Sequence, residues 1–306
     1  MSQGAEQGRL MRMTTDPATA SFVQHRNLLF TVAYEMLGSA TDAEDVLQET
    51  WLRWTTVDLE TVRDRRAFLV RIVTRKALDR LRVLGRRKES YVGPWLPEPL
   101  LTAPDVAEDV ELADSVSMAM LLVMETLTPT ERAVFVLREV FDLDYDEIAE
   151  AVDKTPAAVR QIAHRARNHV AARRPRGAVS RAESRAVLEA FQNAVETGDL
   201  QKLLDIMAPD VVTLSDGGGV RHALLRPVAG AEKVARLVAA RWFSSGLPRS
   251  VAPAHVNGGP GLLVRIGGEV DSVVAFRLDD GRISGLYVVR NPEKLAWVER
   301  ETPVSR

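Results

Sequence analysis

Residues 128–174, TPTERAVFVLREVFDLDYDEIAEAVDKTPAAVRQIAHRARNHVAARR, carry three helix starts in close succession. Thr128 and Glu131 have the spacing of a capping box, with Pro129 at the first helical position. Asp144 and Glu147 repeat the cap, and Thr155 followed by Pro156 opens a third helix. Each cap supplies a side-chain oxygen to backbone N–H groups that the first turn leaves without partners. The spacing predicts a helix to about Val140, a short helix from Tyr145 to Val152, a turn at DKT and a long basic helix from Pro156 to about Arg173. That arrangement is a helix-turn-helix. In the long helix Val159, Ile162, Ala163, Ala166 and Val170 keep core spacing, which leaves Ala158, Arg160, Gln161, His164, Arg165 and Asn168 for solvent or a groove. Arginine can pair with guanine and glutamine with adenine in the major groove, while the remaining arginines suit phosphates. A merely solvated face is the alternative, and the caps, turn and one-sided basicity together argue against it.

Working outward, the chain of 306 residues is 46% hydrophobic and 27% charged, an ordinary globular composition with room for two or three domains. It has no cysteine, which excludes disulfides, thiolate metal sites and cysteine nucleophiles and suits a reducing cytoplasm. No metal or cofactor is expected. The start, MSQGAEQGRLMRM, lacks an apolar core, and no apolar run approaches the ~18 residues of a membrane span, so the expectation is a cytoplasmic protein with no membrane partner. The net charge of −2 hides a strong alternation. Residues 61–90 hold eleven basic and three acidic side chains, 91–155 three basic and fifteen acidic, and 156–185 eight basic and one acidic. Two basic blocks, each on an expected helix, point to a polyanion touched at two places.

The first block sits in a helical unit. Apolar residues recur at helical spacing from Ala20 to Leu37 and stop at Gly38; Thr41 or Asp42 then starts DAEDVLQETWLRW, with Ala43, Val46, Leu47, Trp51 and Trp54 on one stripe and Asp45, Gln48 and Glu49 on another. After a polar stretch, RAFLVRIVTRKALDRLRVLGRRK turns Phe68, Leu69, Ile72, Val73, Leu78 and Leu81 inward and Arg71, Arg75, Lys76, Arg82 and Arg86 outward.

In this order, DAEDVLQETWLRW, FLVRIVTRKALDRLR and the stretch quoted first resemble the two conserved domains of extracytoplasmic-function (ECF) sigma factors of the sigma-70 family, over about residues 20 to 175. The resemblance implies that Asp42, Asp45, Gln48 and Glu49 dock on core RNA polymerase. It implies that the loop and basic helix that follow capture the promoter minus-ten element, with Arg63, Arg65, Arg66, Arg71 and Arg75 on the DNA backbone. The helix bearing Ala158, Arg160, Gln161, His164 and Arg165 would read the minus-thirty-five element. Core polymerase and promoter DNA are then the partners, and the polymerase carries the chemistry. The alternative is a helix-turn-helix regulator without polymerase contact, fused to a ligand-binding or enzymatic domain.

About 120 residues remain. Two helices, Arg181 to Glu196 and one ending at Met207, precede a strand VVTLS, a DGGG turn, a helix from Ala231 to Phe243 and three apolar runs, LLVRI, VDSVVAFRL and ISGLYVV, split by Gly267–Gly268 and Asp280–Gly281. This order of helices and a curved antiparallel sheet resembles the SnoaL-like α+β cone. WLPEP in the linker, DGGG and NPEKL resemble the signature of the ECF group that carries such a domain. The fold class is therefore multidomain: residues 1–15 a flexible start, 16–90 the first sigma domain, 91–112 a linker, 113–176 the second sigma domain, and 180–300 the cone. The cone could be an enzyme, yet Asp216, Arg221, His222, His255, Tyr287 and Asn291 show no spacing that identifies a catalytic pair. DGGG is also readable as a turn that lets the chain leave its strand. The resemblance implies a non-catalytic domain that modulates activity in place of a separate anti-sigma protein, with a small ligand in its pocket as a further partner to test.

YVGPWLPEPL, Tyr91 to Leu100, is an odd spacer, since prolines suit a tether but its aromatic and apolar residues do not. The expectation is that Tyr91, Trp95, Leu96 and Pro97 dock near Asp216, Gly217, Gly218 and Gly219 and near Asn291, Pro292 and Lys294 in the free protein, holding the sigma domains together.

Overall fold

Helix α1, Pro17–Leu37, is capped by Asp16 and closed by Gly38 in the left-handed conformation. The computed structural model describes residues 16–103, 106, 109–173, 180–242 and 249–306; the flexible start expected over residues 1–15 lies outside them. Ser39, and not Thr41 or Asp42, caps α2, Ala40–Trp54, because its hydroxyl accepts from Asp42 N while Glu98 of the linker takes the Thr41 N–H. Asp64 caps α3, Arg65–Glu89. The three helices bury Leu29, Val32, Met36, Val46, Leu47, Trp54, Leu69 and Val73.

Beyond the linker come two short helices that the sequence pattern did not resolve, α4 (Val110–Val116) and α5 (Met118–Met124). The helix-turn-helix follows as expected. Helix α6, Pro129–Phe135, runs on through a π-helical turn, Val136–Val140, to α7, Tyr145–Val152, and α8, Pro156–Ala171; both capping boxes form. Val159, Ala163, Ala166 and Val170 are buried, as the spacing required, and Ile162 is half-buried. Residues of α1, α2, α3, α6, α7 and α8 contribute to one continuous apolar core, so in this state the two sigma domains are packed together.

The C-terminal unit begins with α9 (Arg181–Thr197) and α10 (Leu200–Ile206), then β1 (Met207–Asp216), β2 (Val228–Ala229), α11 (Ala231–Trp242), β3 (Arg249–Val256), β4 (Gly259–Ile266), β5 (Glu269–Asp279) and β6 (Arg282–Val289). The strand order is β2-β1-β6-β5-β4-β3. The sheet is mixed and not wholly antiparallel: β3 to β6 form an antiparallel meander, but β6 returns beside β1 in the parallel sense. One face, with Leu262, Phe276 and Leu286, packs on Leu188 and Phe191 of α9 and Val234 of α11. The other face, with Val256, Val273, Ala275, Tyr287 and Val289, receives Leu96 of the linker, Met118 and Ala119 of α5, and Leu295 and Val298 of the C-terminal tail. The sheet thus serves as a wall between its own helices and the rest of the chain.

Candidate functional site

Asp216 ends β1 with its side chain wholly buried. Its Oδ1 accepts from Tyr91 Oη (2.5 Å) and Gly218 N (3.0 Å), and its Oδ2 from Leu96 N (2.9 Å) and Lys294 Nζ (2.8 Å). Lys294 also donates to Leu96 O at 2.6 Å and lies 3.3 Å from the centroid of the Trp95 ring, a close cation–π contact. Tyr91 and Trp95 meet edge to face, and Asn291 Nδ2 donates to Tyr91 Oη at 2.9 Å. Burial holds the Lys294 ammonium below the usual lysine value, against the opposing pull of Asp216; burial and then Asp216 raise the Tyr91 phenol. Residues from three separated motifs, expected to meet, do meet. Pro97 lies deeper, its ring beside Gly38, and Pro292 opens the single 3-10 turn that carries Lys294.

The glycines have unequal tasks. A Cβ on Gly217 would stand 2.1 Å from Arg221 O, and one on Gly218, at φ +65°, 2.5 Å from Asn291 Cγ; at Gly219 the nearest atom is Val92 Cβ at 3.4 Å. Alanine at 217 or 218 is therefore expected to lower stability by about 1–3 kcal/mol, more than alanine at 219. Thermal melts of the three variants check the order, and an equal effect at all three would leave the glycines as a plain turn.

The linker also ties the units at a second point. Glu98 accepts from Ser39 Oγ (2.8 Å) and Thr41 N (3.0 Å) at the start of α2, and burial raises its carboxyl. Asn257, between β3 and β4, donates to Tyr34 Oη (2.7 Å) and Val116 O (2.9 Å) and accepts from Leu100 N (3.1 Å). Sequence reasoning missed Glu98 as a cap and Asn257 altogether; the Asn257–Gly258 pair, a turn signal, was available in the sequence, and Asn257 takes a φ of +54° in the fold.

The candidate DNA and polymerase residues divide. On α8, Arg160, Gln161, His164 and Arg165 are exposed and Ala158 half-exposed, forming one open face. At the start of α3, Arg63, Arg65 and Arg66 are exposed. Arg71 and Arg75 are not free: Arg71 Nη1 donates to Glu150 Oε2 (2.6 Å) and Arg75 Nη2 to Glu150 O (2.7 Å), so α7 covers the middle of the basic helix. On α2, Asp45 and Gln48 are exposed and Glu49 half-exposed, whereas Asp42 is 9% exposed. Arg80 of α3 lies 3.2–3.4 Å from Asp42, Asp45 and Glu49 together, and Lys76 lies 2.9 Å from Glu49. Asp42 therefore positions Arg80 more than it presents a surface.

The expected cone pocket is occupied on one sheet face by α9 and α11 and on the other by the linker, α5 and the tail. A cavity of about 390 Å³ lies instead at the rim of the β4–β5 turn, lined among others by Arg221, Arg265, Arg290, Glu269, Asp271 and Glu299. Of the polar residues that an enzyme would have to converge, Asp216 and Asn291 both bond the Tyr91 hydroxyl of the linker, while Tyr287 bonds Arg277 elsewhere on the sheet.

Comparison with known proteins follows this division. The family described as Sigma-70 region 2 matches residues 22–87 and Sigma-70, region 4 matches residues 117–170. The chain is 34% identical over 289 residues to the ECF RNA polymerase sigma factor SigJ of Mycobacterium tuberculosis (strain ATCC 25618 / H37Rv), across 90% of this chain and 92% of that one. The chain belongs to the ECF sigma factors. As a sigma factor it recognises promoters and initiates transcription, and the region 2 match removes the alternative of a regulator without polymerase contact. It is also 32% identical to the probable ECF RNA polymerase sigma factor SigI of Mycobacterium tuberculosis (strain CDC 1551 / Oshkosh), across 92% and 95% of the two chains. The crystal structure of Mycobacterium tuberculosis SigJ superposes with a TM-score of 0.72 and 30% identity, covering 91% of this sigma factor and 98% of that chain. These alignments run far beyond region 4, so the C-terminal unit of helices and mixed sheet is shared with both relatives. All the candidate polymerase and DNA residues fall inside regions 2 and 4, whereas Tyr91, Trp95 and Leu96 of the linker and their partners Asp216, Asn291 and Lys294 fall outside both. Among the described residues, no helix is long and apolar enough to cross a membrane.

Proposed function

We propose that this sigma factor acts in the cytoplasm under the control of its own SnoaL-like domain, without catalysis and without need of a separate anti-sigma protein. In the closed state the Asp216–Lys294 latch fixes the linker, and the linker holds regions 2 and 4 together. The observation that carries this reading is Glu150, which engages Arg71 and Arg75, two of the five arginines assigned to the minus-ten element. Its pair with Arg71 is largely exposed, a class worth about 0–1 kcal/mol. It therefore masks the basic helix without locking it, and phosphates can replace it once the latch yields. Arg63, Arg65 and Arg66 remain exposed for first contact with DNA, the open face of α8 is assigned to the minus-thirty-five element, and Asp45, Gln48 and Glu49 to core polymerase. A small ligand, if one acts, meets the charged rim cavity and not an open apolar cone.

Glu150→Lys tests the masking. With core polymerase and the native promoter, abortive transcription is expected to rise several-fold while unfolding free energy changes by less than about 1 kcal/mol. Unchanged transcription would remove the masking role.

A further inference from the structure

Thr41, Asp45, Gln48 and Leu52 stand at helical spacing i, i+4, i+7 and i+11 on α2, and all four are exposed. They form one ridge about 16 Å long. Leu52 is 60% exposed, the one large apolar side chain of that ridge, and it is flanked by carboxylates already partly neutralised by Arg80 and Lys76. An apolar centre with a damped acidic rim fits a protein surface that carries its own apolar patch ringed by basic groups.

The upper end of the ridge is taken. Trp297, in the tail after the latch, donates from Nε1 to Thr41 Oγ1 at 3.0 Å and packs against the helical core. Its position is fixed further along the tail: Val304 is buried in the helical core, Ser305 N donates to Thr31 Oγ1 at 3.0 Å, and Arg306 pairs with Asp109 at 2.9 Å. The short C-terminal tail is thus strapped across region 2.

We infer that core polymerase and the C-terminal tail compete for this ridge, with Leu52 the apolar anchor of the polymerase contact and Trp297 the residue that must leave. The inference rests on the assignment of α2 to core polymerase. A surface covering the ridge from Leu52 to Thr41 overlaps the indole of Trp297, so docking and tail release are one event. Trp297 lies three residues beyond Lys294, so release of the tail also loosens the turn that carries the latch lysine.

The test is binding of core polymerase to the full chain and four variants, with thermal melts and sedimentation on each. Leu52→Ser is expected to weaken binding about tenfold, some 1.4 kcal/mol. Trp297→Ala is expected to tighten it about fivefold, and Trp297→Phe, which keeps much of the packing but loses the N–H, to fall between. The charge reversal Asp45→Lys with Glu49→Lys is expected to abolish binding. Loss with the charge reversal but no change with Leu52→Ser and Trp297→Ala overturns the competition and leaves the polymerase assignment standing. Full binding by the charge-reversed chain overturns that assignment itself. A self-associated chain that Leu52→Ser turns into a monomer, with core binding unchanged, gives the leucine to a second copy and overturns the inference.

Discussion

Asp216→Ala is expected to lower the unfolding free energy by about 3–5 kcal/mol and to open the linker to protease. The carboxylate is wholly buried and collects four donors, from Tyr91, Leu96, Gly218 and Lys294. Its removal leaves Lys294, only 4% exposed, with a carbonyl, the Tyr91 and Trp95 rings and the weaker attraction of Glu98, but no directly paired counter-ion. A buried cation without its anion either deprotonates or draws water in, and both routes detach the linker. Lys294→Met is the informative contrast. It leaves the Asp216 carboxylate with three donors and preserves the bulk against Trp95, so its effect is expected nearer 1–3 kcal/mol. The double variant reports the coupling between the two side chains, since they share Leu96 and Trp95 as neighbours. Urea unfolding supplies the free energies, and limited proteolysis between residues 91 and 103 reports the linker. Equal effects of the two single changes, with the linker still resistant, would show that the buried pair is not what holds it.

The helix-turn-helix was legible because its starts are local: a cap and its amide lie three residues apart, and no distant group is needed to place Thr128, Asp144 or Thr155. The latch motifs were legible as motifs, and their meeting followed from apolar residues in a proline-rich spacer. Strand β3 was hidden by Pro253, which argues against a central strand; the strand lies at the sheet edge, where a missing N–H leaves no ladder bond unmade. The parallel pairing of β1 with β6 depends on where a meander closes, which no local pattern records. Arg71 and Arg75 illustrate a further limit. Helical spacing correctly turned them away from the region 2 core, yet the side they face belongs to α7, some 75 residues later in the chain. The tail carried only two valines and a tryptophan as signals, and its docking is wholly tertiary.

Glu35→Gln is expected to stabilise the protein by roughly 4–5 kcal/mol above pH 8 and by little at pH 4.5. Glu35 lies on α1 with no exposed surface; Ser115 of α4 donates to its Oε1 at 2.7 Å and its Oε2 has no hydrogen-bond partner among the described residues. Burial pushes its carboxyl up to about 8, opposed only by the Ser115 hydrogen bond. Between the unfolded value of about 4.5 and that of the fold, the folded chain holds a proton that the unfolded chain has lost. Stability from this group is therefore complete below pH 4.5 and declines as pH rises through 8. Glutamine imitates the neutral acid at every pH, keeps an acceptor for Ser115 and removes that decline. Glu98, raised by burial as well, contributes a slope of the same sign that survives the change, so the variant is flatter with pH and not flat. Glu125 has the opposite shift and acts below about pH 4.5, outside this window. Because Ser115 belongs to the segment between the linker and region 4, ionisation of Glu35 strains the seam with region 2, and the glutamine variant should also open less readily on core polymerase. Urea midpoints of both proteins from pH 5 to 9 check the slope, and parallel curves would mean that Glu35 is ionised in the folded protein and carries no such linkage.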